Sequence, residues 1–233
     1  MSASAAVKTV DLGEYRLTYA TKGSGPFMLM LHGGDKREDW RVWSPLLELS
    51  EQYTLVIPDL VGFGASSKPS ETPDYAAQAQ VLHDLAEKLG IHKAIVMGRS
   101  WGGQVALEFA INWPGLVDGL VLISSTYDRG QLSRMRNVAK PALIIWAEDD
   151  LVAQVKAGYV LRDALRTSKI QVLDDTAKNP AYDFTIAHKL ERYSPQVVLS
   201  MIRDFLSDPS LKIAEPPDME PELRGMAMKE KKD

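Results

Sequence analysis

Short, uninterrupted apolar runs alternate with segments of helical spacing along most of this chain. The runs are Phe27 to Leu31, Tyr53 to Pro58, Ala94 to Met97, Gly119 to Ser124, Ala142 to Trp146 and Lys169 to Leu173. Runs this short, with little polar alternation, suit strands buried on both faces. Between them lie stretches with helical periodicity. Trp43 to Glu51 is one. Tyr75 to Leu89 is longer and places Ala79, Leu82, Leu85, Ala86 and Leu89 on one face. Trp101 to Trp113 stops before Pro114-Gly115, as a helix must. Gln154 to Arg166 and Pro195 to Leu206 follow. This order predicts an α/β fold, with a mostly parallel central sheet and helices on both faces. Ahead of it, Val7 to Asp11 and Tyr15 to Thr21 read as two further strands, with a turn at Gly23-Ser24-Gly25-Pro26. No internal repeat is visible. After Asp208 the pattern dissolves into Pro216, Pro217, Pro221 and a Lys/Glu-rich end. We therefore expect one domain over residues 1–208. Residues 209–233 are expected to form a loosely packed or disordered tail, with a partner-binding arm as the alternative.

Composition narrows the chemistry. The chain has 233 residues, enough for one sizeable core and short for two domains. Its net charge of −4 gives no electrostatic case for nucleic acid or an anionic membrane. No apolar run approaches the length of a membrane span. Met1 to Ala6 carries neither the basic nor the long apolar segment of a secretory leader, which points to a cytoplasmic protein. Cysteine is absent, so disulfides, thiolate metal sites and cysteine nucleophiles are excluded together.

The chemistry that remains centres on Gly98-Arg99-Ser100-Trp101-Gly102, a G-x-S-x-G pattern between an apolar strand and a helix. A chain that leaves a sheet and enters a helix within a few residues forces the serine into a strained conformation. Glycines on either side relieve the crowding. The hydroxyl is then held above the sheet at a helix N-terminus, where unpaired N–H groups and the helix dipole favour negative charge. An ordinary turn is the bland alternative, but the strand before and the helix after argue for a nucleophile. Arg99 beside it reads most plainly as a surface salt-bridge partner, or more sharply as an anion-recognition group.

Two further motifs precede this one. Leu31-His32-Gly33-Gly34 follows the first buried run, and Asp59-Leu60-Val61-Gly62-Phe63-Gly64-Ala65-Ser66 follows the second. In this order, the three motifs resemble the α/β-hydrolase superfamily, in its small capless serine-hydrolase form, over about residues 7 to 208. The resemblance implies Ser100 as nucleophile, followed in chain order by an acid and then a histidine base. Of the four histidines, only His188 follows all the strands, although Ala187 stands where the family often has glycine. His32 takes the structural place of the His-Gly turn. The family's acid position matches Asp150, with Asp149 second and Asp128 available after the preceding strand; helix capping is the alternative role for these carboxylates. The resemblance also places the oxyanion-binding backbone N–H groups at Gly34 and Trp101. It calls for no metal and no organic cofactor.

A serine hydroxyl needs a base within hydrogen-bond reach, and the base needs an orienting carboxylate. The expected activity is hydrolysis of a small-molecule acyl ester through an acyl-enzyme. The alternatives are acyl transfer to a thiol or amine, and a partner-binding protein with a vestigial site, the charged tail being its possible contact. Ser124 to Pro141 spans only 18 residues, too few for a large cap domain over the site. Specificity would then rest on loops, including Asp174 to Phe184. Ser100 in place of aspartate argues against the branches of the family that use a carboxylate nucleophile.

Overall fold

The computed structural model describes residues 4–174 and 186–208. The tail after Asp208 and most of the Asp174 to Phe184 loop lie outside the described residues. Eight strands form one sheet in the order β1-β2-β4-β3-β5-β6-β7-β8. They are β1 (Ala6–Asp11), β2 (Arg16–Lys22), β3 (Phe27–Leu31), β4 (Thr54–Pro58), β5 (Ala94–Arg99), β6 (Val117–Ile123), β7 (Ala142–Ala147) and β8 (Ser168–Leu173). β1 and β2 pair antiparallel, and β2 pairs antiparallel with β4. Every pairing from β4 through β3 to β8 is parallel.

The apolar runs become strands for a physical reason. All residues of β3, β4, β5, β6 and β7 are buried, so both faces of the sheet must be covered. The edge strand β1 instead alternates between half-buried and exposed positions. On one face lie α1 (Tyr75–Lys88) and α2 (Trp101–Asn112), together with the short α3 (Leu132–Met135) and α4 (Lys156–Ala164). On the other lie a 3-10 helix over Trp40–Glu51 and α6 (Pro195–Leu206), preceded by the single-turn α5 (Leu190–Tyr193). Asp39 caps the 3-10 helix by accepting from the Arg41 N–H, and Pro45 inside it removes a backbone donor. The segment predicted to be helical from Trp43 therefore starts earlier and winds tighter. Asp74 caps α1 by accepting from Ala77 N–H.

Between β6 and β7 the chain makes only a 3-10 turn, Arg129–Gln131, and α3. No cap domain is inserted there. Among the described residues no helix is long and apolar enough to cross a membrane.

The helix that follows Ser100 carries much of the packing. Phe109 in α2 is fully buried between the sheet and α1. Phe109→Ala is expected to lower unfolding free energy by about 3–5 kcal/mol, because a large buried ring leaves a cavity. Val7→Ala, on the exposed side of β1, is expected to change it by less than about 0.5 kcal/mol. Urea denaturation of both variants checks the pair.

Candidate active site

The C-terminal ends of β3, β5, β6 and β7 open on the same side of the sheet, the usual place for a site in a parallel α/β fold. Ser100 sits between β5 and α2 with φ 51° and ψ −119°. This is a left-handed conformation that a serine holds only when its surroundings force it. The surroundings are specific. The Ser100 N–H donates to the Ile123 carbonyl at 3.0 Å. The Ser100 carbonyl accepts from the Gly103 and Thr126 N–H groups at 3.0 and 3.1 Å, and from Thr126 Oγ1 at 3.3 Å. The flanking glycines are needed for close approach. A side-chain carbon on Gly98 would collide with the Gly102 carbonyl, and one on Gly102 with the carbonyls of Leu31 and His32.

The three residues proposed for chemistry meet in one line. Ser100 Oγ lies 2.9 Å from His188 Nε2, and His188 Nδ1 lies 2.9 Å from Asp150 Oδ2. The order fits a hydroxyl donating to Nε2 and an Nδ1–H donating to the carboxylate. Asp150 Oδ1 accepts from the N–H groups of Val152 and Ala153 at 2.9 and 2.8 Å. The same carboxylate thus closes the turn after β7 and orients the imidazole. Asp150 and His188 are both buried, so water does not compete for the pair. Asp128 is engaged elsewhere, accepting from Gly130 N–H at the start of a 3-10 turn.

Gly34 lies directly against Trp101. A side-chain carbon on Gly34 would stand 3.1 Å from Trp101 Cβ. Trp101 is the first residue of α2, so its N–H has no acceptor within the helix. Its indole packs on Phe63 and Tyr75, with ring centroids 5.5 and 5.4 Å apart. The two earlier motifs brace this arrangement. His32 accepts from Leu60 N–H at Nε2 (3.0 Å) and contacts the Gly33 carbonyl through Nδ1 (2.7 Å). Burial pushes its pKa below the ordinary value, so the ring works as a neutral connector. Asp59 accepts from the N–H groups of Trp40 and Ala65, both at 2.8 Å.

Arg99 overturns the expectation of a surface salt bridge. It is only 2% exposed. Its guanidinium pairs with the buried carboxylate of Glu38, and its Nε lies 2.9 Å from Glu191 Oε1. Neither glutamate stands out in the sequence. The signal was there in a weaker form: an arginine that ends an otherwise apolar strand must either reach water or find carboxylates inside.

Residues 26–135 match the family model described as alpha/beta hydrolase fold. An uncharacterized protein of Mycobacterium tuberculosis is 39% identical over 112 residues, covering 48% of this chain and 32% of that protein. A soluble epoxide hydrolase of Corynebacterium sp. is 38% identical over 110 residues, covering 47% of this chain and 38% of the other. The match thus spans about a third of the length of these relatives. Among solved structures, a serine hydrolase involved in carbazole degradation superposes with a TM-score of 0.77 at 20% identity, covering 88% of this chain and 99% of that one. With the family model matched over residues 26–135, the eight-stranded, mostly parallel sheet and this superposition, the chain has the alpha/beta hydrolase fold.

Proposed function

We propose that this protein is a serine hydrolase that cleaves small acyl esters through a covalent acyl-enzyme. The observation that carries the reading is the unbroken relay from Ser100 Oγ through His188 to Asp150, with both hydrogen bonds at 2.9 Å. Ser100 Oγ attacks the ester carbonyl carbon while His188 Nε2 takes the hydroxyl proton. Asp150 stabilises the imidazolium that forms. The N–H groups of Gly34 and Trp101 face the developing oxyanion. The imidazolium then protonates the departing alkoxide. A water molecule, deprotonated by His188, attacks the acyl-enzyme carbonyl, and Ser100 leaves with the proton restored.

The identity of the nucleophile constrains the substrate. A relative is named as an epoxide hydrolase. Opening an epoxide with Ser100 would leave an ether on the enzyme, with no carbonyl for water to attack, and turnover would stop. Attack on an acyl carbon leaves an ester that water can cleave. Serine at this position therefore favours acyl substrates over epoxides and alkyl halides.

A fluorophosphonate probe tests the nucleophile directly. Intact-protein mass spectrometry is expected to show one adduct on the wild type and none on Ser100→Ala. Normal labelling of that variant would refute the assignment.

Replacing the acid by its amide tests the relay. Asp150→Asn is expected to slow acylation on the order of 10⁴-fold, since the imidazole loses the partner that fixes its tautomer. Asp128→Asn and Asp149→Asn are expected to cost less than about tenfold. Stopped-flow rates with p-nitrophenyl acetate rank the three; a larger loss at Asp128 would move the acid to the earlier strand.

The short β6–β7 connection leaves little apolar surface to enclose a long chain, and Leu151 and Val152, next to Asp150 in the chain, are exposed. Each enclosed methylene would contribute about 0.8 kcal/mol. Specificity, kcat/KM, is expected to peak between acetate and butyrate on p-nitrophenyl esters. A steady rise toward octanoate would show an enclosing pocket and defeat the open-site reading.

A further inference from the structure

The three groups of the site reach it on three separate stretches of chain, which meet behind it at one side chain. Arg99 immediately precedes the nucleophile. Glu38 lies four residues beyond Gly34, and Glu191 three residues beyond His188. The Arg99 guanidinium pairs with both carboxylates, and all three side chains are buried. Lys189 adds a second link between the same stretches, with Nζ 3.9 Å from Glu38 Oε1 and 3.9 Å from Asp35 Oδ2. The backbone of Gly33 rests on this cluster. A side-chain carbon there would stand 2.7 Å from Arg99 Nη2 and 2.8 Å from Glu38 Oε2.

We infer that the Glu38–Arg99–Glu191 cluster is a positioning unit, which ties the loop carrying Gly34, the turn carrying Ser100 and the segment carrying His188 to one guanidinium. This rests on the serine-hydrolase reading above. None of the three touches the reacting atoms in this scheme; they act through the backbone segments that bear them. Positional tolerance is tight in such sites, where a misplacement of about 1 Å can cost on the order of 10²-fold in rate. Arg99 and Ser100 are held by the sheet through β6, whereas the stretches carrying Gly34 and His188 lie outside the strands, and a buried ion pair ties their geometry to the held one. Two carboxylates on one guanidinium also leave excess negative charge close to His188, and that charge favours the imidazolium formed when Ser100 is deprotonated. Lys189 offsets part of it from the Glu38 side.

The cluster gives the site a pH response apart from that of the relay. Burial raises the Glu191 carboxyl above the usual carboxylate range, with Arg99 and His188 opposing and Glu38 reinforcing the shift. As pH falls, Glu191 takes up a proton and its tie to Arg99 slackens. The fold does not suffer from this step, because a raised native pKa means that the native state holds the proton more readily than the unfolded chain. The stability this group contributes is present at low pH and lost as pH rises through the raised value.

Glu191→Gln and Glu38→Gln test the unit. Each removes one carboxylate charge and leaves a neutral Arg99–glutamate pair, so neither strands a buried charge. The readout is the rate of Ser100 labelling by a fluorophosphonate across pH, beside a thermal melt. The wild type is expected to label. Glu191→Gln is expected to label about tenfold more slowly at the plateau, with its acid limb moved to lower pH because a negative charge near the imidazolium is gone. Glu38→Gln is expected to lower the plateau with a smaller movement of the limb. Both losses should lie in the maximal labelling rate rather than in probe affinity, with the melt within a few degrees of wild type. Wild-type plateau and limb in both variants would overturn the inference, and so would losses that merely track the folded fraction. An unlabelled wild type would overturn the serine-hydrolase reading itself, and this inference with it.

Discussion

Ser100 occupies a backbone conformation that costs of order 1–3 kcal/mol for a residue other than glycine, and much of the structure around it serves to hold it there. Its N–H is taken by the end of β6 and its carbonyl by α2 and Thr126. Gly98 and Gly102 let pieces of backbone approach within distances that a side chain would forbid, and Gly103 makes room for the Ser125 side chain. The strain cannot relax locally, because relaxing it would mean withdrawing β5 from β6 or α2 from the sheet. Both elements are deeply buried, so the stability of the core is what keeps the hydroxyl raised above the strand ends. Phe109 and its neighbours thus bear on the chemistry without approaching it.

This coupling explains why the fold was largely legible and the site partly so. Strands buried on both faces leave unbroken apolar runs, and all six runs are strands of the sheet, although β8, at its edge, is only half-buried rather than buried on both faces. The helices of twelve or more residues, α1, α2 and α6, show their spacing plainly. The misread elements are those whose geometry is not periodic. The 3-10 winding of Trp40–Glu51 depends on the Asp39 cap and Pro45. α3 and α5, at four residues each, are too short for periodicity to show. Ser100 could be read because a strained turn needs glycines at fixed positions. Asp150 and His188 needed the family resemblance, since 38 residues separate them and nothing local distinguishes Asp150 from Asp149. What separates the two is geometry that sequence does not encode in their neighbours: the two oxygens of Asp150 meet the turn after β7 and the His188 imidazole together.

The buried ion-pair cluster escaped detection for a different reason. Its members are scattered along the chain as Glu38, Arg99 and Glu191, and only tertiary structure makes them neighbours. A buried arginine with two buried glutamates is a poor way to gain stability, because removing charges from water costs several kcal/mol per ion and their attraction returns little surplus. An apolar set of similar volume would serve the fold as well. The arrangement gains its sense from directionality. Dispersion contacts between apolar groups tolerate sliding, whereas a guanidinium fixed to two carboxylates resists it. In the positioning role inferred for it, the cluster would add this resistance to sliding to the hold that the packed core already has on Ser100, and extend it to the stretches carrying Gly34 and His188.

His188 is therefore held from two directions by unlike means. On one side Asp150 sets the orientation of its ring through Nδ1. On the other, Glu191 anchors the segment on which the ring is carried, while Ala187 and Leu190 pack that segment into the core on one face of the sheet. The first constraint acts on the imidazole's rotation and tautomer, the second on the placement of its backbone. Neither substitutes for the other: an imidazole in the right tautomer on a shifted segment cannot reach Ser100 Oγ, and a well-placed segment without Asp150 presents the wrong nitrogen. The 2.9 Å separation between Nε2 and Oγ is the joint product of both. A histidine that arrives after the last strand, without a strand of its own to fix it, requires that second constraint.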